Sequence, residues 1–400
     1  MPANPELLSP AGDLEKLEAA VRFGADAVYV GAGPFSLRAQ ATSFNLDELK
    51  QGISFAHQHK VKVYLAINIF AFDEDLNKMV TYLKEATKAG IDAAIISDPG
   101  LIKLTREKFP KLKIHLSTQA NTLNSEAVKF WQQQGVGRVV LGREISLAQA
   151  KKIKKAVPKI ELELFVHGAM CISYAGRCLL SKHMTNRSAN RGECTQPCRW
   201  EYRLKEVTRP DDEFLIEQDG RSTYILNSKD LCLVEHIPKL IEAGIDSFKV
   251  EGRMKSVYYA ALVTKIYREA IDATPKLDPA WKAELEKTSH RHFTTGFYLD
   301  EDETEHIADG SNIRNYTFVG VVANHQAGEI EIMARNYFAV GDELDIIDPK
   351  FKEIRKLKVT KIRTADNKEI NKAHNNFHVF VRSEFSLLIS AFSLLRRKSF

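Results

Sequence analysis

Through the first 160 residues, short apolar runs alternate with longer stretches of helical period. ELLSP (6–10) precedes DLEKLEAAVRFGA (13–25), and DAVYVG (26–31) precedes LDELKQGISFAHQH (46–59). KVYLAINIF (62–70) leads into DLNKMVTYLKEATKAG (75–90), and DAAIISD (92–98) into PGLIKLTREKF (99–109). KIHLSTQ (113–119) precedes SEAVKFWQQQG (125–135), and RVVLG (138–142) precedes SLAQAKKIKKA (146–156). The apolar runs are rich in β-branched residues, as buried strands are, and the stretches between them repeat every 3.6 residues. Gly24, Gly90 and Gly135 suit left-handed helix ends, while Asp13 and Asn124 or Ser125 can cap helix starts. Six strand–helix units follow from this pattern. IELELFV (160–166) adds a seventh strand and DSFKVEG (246–252) an eighth, after the helix-like CLVEHIPKLIEAG (232–244) and before YYAALVTKIYREAID (258–272). Eight parallel strands with helices outside predict an α/β chain closed into a (β/α)8 TIM-like barrel over residues 1–300. A doubly wound sheet shares the local pattern, but no GxGxxG or Walker loop follows any strand.

The grammar changes after residue 305. TFVGVVAN, EIEIMAR, GDELDIID, KLKVTKI, FHVFVRS and FSLLISAF alternate in period two between Gly, Asn, Asp and Pro turns. They predict a small C-terminal antiparallel β-barrel over 305–400. The intervening SHRHFTTGFYLDEDETEHIADGS (289–311) reads as a polar, turn-rich linker. At 400 residues, a barrel plus a smaller module is the expected division. No apolar run approaches the ~18 residues a membrane helix needs. The N-terminus has neither a basic n-region nor an apolar h-region, which predicts a cytoplasmic, reducing location. A net charge of +5 is too mild to identify a partner by itself.

Candidate chemistry concentrates after strand seven, in a cysteine-rich insertion at about 168–230. Four of the five cysteines, Cys171, Cys178, Cys194 and Cys198, fall within 28 residues, separated by six, fifteen and three residues. Structural zinc prefers two close pairs, and only Cys194–Cys198 has that spacing. An iron–sulfur cluster accepts wider spacing, so zinc, iron–sulfur and buried structural thiols all stay open on spacing alone. Strand-end positions, where barrel enzymes place their chemistry, carry Ser9, Pro10, Gly31, Asn68, Asp98, Thr118, Gln119, Arg143, Glu144, His167, Glu251 and Arg253. A polar ring at one end predicts a pocket. Arg143 and Arg253, with Lys249 or Lys255, could hold a dicarboxylate or pair with Glu144 and Glu251. His167 could donate a proton or serve as a hydrogen-bonded loop residue. GxSxG, HExxH and the radical CxxxCxxC motif are all missing.

Two basic runs suit RNA. Arg177, Lys182, Arg187, Arg191, Arg199 and Arg203 surround Trp200 and Tyr202, and Lys350, Lys352, Arg355, Lys356, Lys358, Lys361 and Arg363 face one acid, Glu353. Cations hold phosphates and aromatic rings stack bases; the competing explanation for each run is a solvated surface. Arg199, Trp200, Lys356 and Lys358 are the candidate RNA contacts.

The run ELFVHGAMCISYAGRCLLS (163–181) resembles the signature of the U32 peptidase, or collagenase-like, family. LSPAGDLEKLEAAVRFGADAVYVG (8–31), NSKDLCLVEHIPKLIEAGIDSFKVEGRMKS (227–256) and SHRHFTTGFYL (289–299) resemble the same family. Within it, the chain is most similar to members that form 5-hydroxyuridine at the wobble position of tRNA. The resemblance implies a 4Fe–4S cluster on Cys171, Cys178, Cys194 and Cys198, with Cys232 in reserve for Cys198. It further implies prephenate as co-substrate, the tRNA anticodon region as partner, and catalytic roles for His167, Arg143, Glu251 and Arg253. Alternatives within the family are a collagenase-like peptidase and a cluster-bearing partner protein in rRNA or quinone hydroxylation. Either a monomer or a homodimer is compatible with the sequence, and no membrane partner is expected.

Overall fold

The computed structural model describes residues 4–37, 44–171, 173–174, 177–200, 218–219, 222–223, 229–299, 313–326, 328–383, 385 and 388–399. Arg203 and Tyr202 lie outside the described residues, as does the side chain of Arg199.

Strands β1 (Glu6–Pro10), β2 (Ala27–Gly31), β3 (Lys62–Ile67), β4 (Ala93–Ile96), β5 (Lys113–Leu116), β6 (Arg138–Val140), β7 (Glu161–Ala169) and β8 (Ser247–Val250) pair in parallel in chain order. Pairing of β8 with both β7 and β1 closes the barrel. Helices α1 (Leu14–Arg22), α2 (Leu46–Gln58), α3 (Asp73–Ala89), α4 (Pro99–Lys108), α5 (Ser125–Gln133) and α6 (Leu147–Ala156) fill the first six connections. Asp13 and Asn124 cap helix starts as the sequence predicts, and Asn45, Asp98 and Ser146 do the same, each accepting a first-turn backbone N–H. Gly90 closes α3 in the left-handed region, at φ 100°.

The period of two along each strand divides the barrel into two environments. Outward residues such as Leu7, Val28, Val63, Leu65, Leu162 and Phe248 join the helices in the main core. Leu8, Ala27, Tyr29, Tyr64, Ala66, Ala93 and Ile95 form a separate apolar cluster from β1 to β4. The other strands place charge inside. Buried Glu163 accepts from Lys249 (3.0 Å), Ser247 (3.1 Å) and Arg138 (3.2 Å). Buried ions persist only with such pairing, and removing one partner typically costs ~3–5 kcal/mol.

Three sequence expectations need correction. The helix expected over 232–244 begins later: Asp230–Cys232 is a strand antiparallel to the end of β7, and α8 covers only Ile237–Glu242. The stretch 289–299 is not a free polar linker. Phe293–Thr294 extends the barrel sheet, and Arg291, Thr294, Thr295 and Tyr298 are buried there. Arg291 is drawn inside by Asp230, which accepts from its Nε at 3.0 Å and its Nη2 at 2.7 Å. Finally, the last strand is Leu394–Lys398 rather than FSLLISAF, because Leu388 is exposed and Phe392 has φ 72°, whereas Leu394 and Leu395 are fully buried.

Beyond α9 (Val257–Ala273) and α10 (Ala280–Leu285), the chain forms a curled antiparallel sheet. Its strands are β9 (Tyr316–Gln326), β10 (Glu329–Ala334), β11 (Glu343–Ile347), β12 (Arg355–Lys358), β13 (Ile362–Thr364), β14 (Glu369–Ile370), β15 (His378–Arg382) and β16 (Leu394–Lys398). Their spatial order is β12-β11-β16-β9-β10-β15-β13-β14, a half-barrel with its own apolar core. Tyr258 of α9 stacks on Phe318 of β9 at 5.7 Å, and Val321, Ile347 and Leu394 join the barrel core.

Candidate functional site

The C-terminal ends of the strands open into a cavity of about 280 Å³. From the strand-end ring it takes Asn68, Thr118, Gln119, Arg143, Glu144, Glu251 and Arg253. All four clustered cysteines, Cys171, Cys178, Cys194 and Cys198, line the same cavity. Ser9, Pro10, Gly31 and Asp98 serve the framework. Ser9 accepts from Thr264 Oγ1 at 2.8 Å, and Asp98 caps α4.

The cysteine segment, which includes α7 (Leu180–Thr185), is roofed onto the barrel by two arginines of the expected RNA run. Arg177 donates through Nε (3.0 Å) and Nη2 (2.7 Å) to the Gln119 carbonyl. Arg191 forks onto Asp75 at 2.7 and 3.1 Å, and holds that carboxyl below its usual range. Asn190 clasps Cys178, accepting from its N–H at 3.2 Å and donating to its carbonyl at 3.3 Å. Arg177 and Arg191 are therefore structural fasteners, a correction to their reading as phosphate contacts. Trp200 remains 40% exposed and Lys182 bonds its neighbour Asn186.

Five cations face the cavity, Arg143, Lys249, Arg253, Lys255 and Arg291, against two acids, Glu144 and Glu251. Arg143 lies 4.0 Å over the Phe165 ring, donates to the Ala169 carbonyl at 2.9 Å and stands 3.6 Å from Glu251. Among the described residues its buried Nε has no hydrogen-bond partner, nor has Oε1 of Gln119, which is 2% exposed. Arg253 Nη1 donates to Ser36 Oγ at 2.7 Å. Room for the 251–253 loop comes from glycines: a Cβ at Gly168, where φ is 105°, would lie 2.4 Å from the Glu251 carbonyl oxygen. Burial alone would raise the Asp230 carboxyl, but Arg291 more than offsets it and the net shift is downward. Sequence reasoning passed over Arg291, Tyr29, Phe165, Met254 and Phe297 as lining residues. Only the SHRHF stretch carried a signal, and that by resemblance.

His167 does not reach the cavity. It is 1% exposed within β7, ringed by Tyr259, Tyr267 and Phe293 at 5.5–5.8 Å, with Tyr267 OH 3.4 Å from Nδ1. Burial lowers its pKa to about 3, so it is neutral at physiological pH. This corrects the expectation of a loop residue or proton donor. Cys232 lies in the same buried layer, 4.0 Å from Tyr267 OH, and burial pushes its thiol up to about 12. It is not a lining residue.

Four thiols on one cavity are the donor set of a cysteine-ligated iron–sulfur cluster. Among the described residues no three His, Cys, Asp or Glu groups converge tightly enough for a single ion. The donor chemistry of the four cavity thiols fits such a cluster. Of the C-terminal candidates, Lys356 pairs with Glu343 at 2.5 Å, while Lys358 makes no ion pair among the described residues. No described helix is long and apolar enough to cross a membrane.

Comparison with known proteins places this architecture among relatives. The model of peptidase family U32 matches residues 12–308, and that of the peptidase family U32 C-terminal domain matches 314–396. The chain is 39% identical to "tRNA hydroxylation protein P1" of Bacillus subtilis (strain 168), over 94% of this chain and 90% of that protein. It is 40% identical to "tRNA hydroxylation protein P" of Escherichia coli (strain K12), over 86% of each. It is also 33% identical to "Collagenase" of Porphyromonas gingivalis (strain ATCC BAA-308 / W83), over 86% of each.

Proposed function

This chain belongs to peptidase family U32, and we propose that it is a tRNA-modifying hydroxylase forming 5-hydroxyuridine at the wobble position. The observation that carries the reading is one cavity lined by four thiols and five cations at the open end of a barrel. The names of two relatives aligned along most of their length supply the substrate class.

Replacing C5–H of uracil by C5–OH with water as the oxygen source would release two protons and two electrons, and since no side chain can accept that electron pair an acceptor from outside the chain would have to take it. Cys171, Cys178, Cys194 and Cys198 would hold a 4Fe–4S cluster, which supplies electron transfer when bound. Prephenate, a dicarboxylate, is the proposed co-substrate. Arg143 and Arg253 would receive its carboxylates, since a guanidinium fork matches a carboxylate and both line the cavity, whereas Lys249 and Arg291 are already paired with Glu163 and Asp230. Glu251, facing Arg143 across 3.6 Å, would take up the C5 proton. His167 positions β7 from behind without touching substrate.

A peptidase mechanism would need a thiolate activated by histidine. Among the described residues no histidine lines the cavity, and the thiols serve better as ligands. Mass spectrometry of tRNA nucleosides from cells lacking the gene tests the reading. Wild-type protein should restore 5-hydroxyuridine, and Arg143→Met or Arg253→Ala should not, although the purified variants keep visible cluster absorbance. Full modification in the deletion strain would overturn it.

A further inference from the structure

The C-terminal half-barrel carries exposed rings that the cavity does not use. Tyr337 and Phe377 are 37% and 40% exposed. His374, also exposed, lies between them, with ring centroids 5.6 Å from Tyr337 and 5.7 Å from Phe377. Two loops supply these rings, one after β10 and one before β15. They are locked together: Phe338 pairs with Ala373 and Ala339 with Lys372, while the Ala334 and Phe377 backbones bond at 2.8 Å. Phe338 and Ala373 are fully buried beneath. The rings therefore stand outside a firm base, and clustered exposed rings of this kind mark a surface that something covers.

The surroundings indicate what that partner is. Arg397, mostly buried and paired with Asp342 at 3.9 Å, lies over the Tyr337 ring, 5.7 Å from its centroid, and backs it from one side. Lys372 is exposed and makes no ion pair among the described residues. Lys358 ends β12 beside Val359, whose backbone bonds Gly341 and Asp342 at 2.8 and 2.9 Å, just past these loops. Asn371, Asn375 and Asn376 add exposed amides. Rings for stacking, cations for phosphate and amides for base edges together suit unpaired RNA, whereas a protein partner would have to desolvate those cations. The position is suitable too. Arg335, which opens the first loop, pairs with Glu15 at 2.6 Å in the first turn of α1. That turn begins beside Gly12, where a Cβ would lie 2.2 Å from the carbonyl oxygen of cavity residue Arg253. The rings and the cavity mouth therefore belong to the same end of the barrel.

The geometry points to a second RNA contact: Tyr337, His374 and Phe377, flanked by Arg397 and Lys372, form a stacking surface for single-stranded tRNA nucleotides that lie outside the cavity. This inference rests on the tRNA reading above. The test is binding of unmodified tRNA transcript to the purified full-length holoprotein, with hydroxylation kinetics in parallel. Tyr337→Ala with Phe377→Ala should weaken binding by about ten- to a hundred-fold, as loss of base stacking does, and raise KM with kcat preserved. The Tyr337→Leu and Phe377→Leu pair keeps apolar area without stacking and should show the same loss at an unchanged melting temperature. Lys372→Gln should reduce the salt slope of log Kd by about one. Wild-type protein that binds and hydroxylates tRNA beside ring variants of equal affinity would overturn this inference alone. Wild-type protein that binds no tRNA would overturn both it and the functional reading. A wild-type dimer that the leucine pair converts to monomer in size-exclusion chromatography would assign the rings to self-association and overturn it as well.

Discussion

A thiol's surroundings decide whether its sulfur is available, and the five cysteines divide cleanly on that basis. Cys171, Cys178, Cys194 and Cys198 line an open cavity, whereas Cys232 is sealed against Tyr267 with its thiol pushed up to about 12. Cys232 is buried and does not line the cavity, so the four lining cysteines are the ones proposed as ligands. Cys232→Ala should retain iron and visible absorbance while losing about 1–2 kcal/mol of stability. Cys198→Ser should lose most of its iron on the same assay. The sequence left this choice open because spacing carries no burial. His167 makes the opposite point: within the signature it looks chemical, yet it is a buried neutral ring. Its folded pKa of about 3 lies below the ordinary 6.5, so below pH 6.5 the unfolded chain takes up a proton that the folded chain refuses. Stability should fall as pH drops from 6.5 towards 3, by about 1.4 kcal/mol per pH unit for that one group. Urea midpoints of wild type and His167→Asn between pH 7 and 4 should therefore show a shallower acid slope in the variant.

At the scale of elements, the barrel was legible because each strand and helix announces itself locally: β-branched runs, periodic helices, and caps such as Asp13 and Asn124. What failed to show was anything set by long-range pairing. Cys232 reads as the start of a helix until the end of β7 offers Asp230–Cys232 an antiparallel partner, and 289–299 reads as linker until Asp230 draws Arg291 inward. The candidate cavity was half legible. Strand ends supplied its polar residues, but the role of Arg191 depends on Asp75, 116 residues away in the chain. That pair ties the cysteine segment to α3, so Arg191→Ala should leave the barrel folded and loosen the segment alone. Limited proteolysis should then cut near residues 170–200 several times faster, with iron lost on gel filtration. An unchanged cleavage rate would mean that Arg177 and Asn190 suffice to hold it.

Across the whole molecule, Arg396 bridges the two units at the centre of their apolar junction. Arg396 of β16 is fully buried, donating to Asp345 of its own sheet at 3.0 Å and across the junction to Glu284 at 2.7 Å and Tyr258 OH at 3.1 Å. Burial opposes its charge, and Glu284 and Tyr258 on the barrel side offset that cost. Replacing Arg396 with methionine would leave Asp345 and Glu284 facing each other across an apolar junction. Breaking a buried charged network in this way typically costs ~3–5 kcal/mol. The stacked Tyr258–Phe318 pair and the Lys265 bond to the Phe351 carbonyl would remain, so the loss should weaken docking without unfolding either core. Urea denaturation of Arg396→Met should therefore split into two transitions, the half-barrel separating first, where wild type shows one. Because the ring surface lies on the half-barrel and the cavity on the barrel, the same variant should lose tRNA hydroxylation while keeping its iron. A single transition with full activity would show that the apolar junction alone aligns the two units.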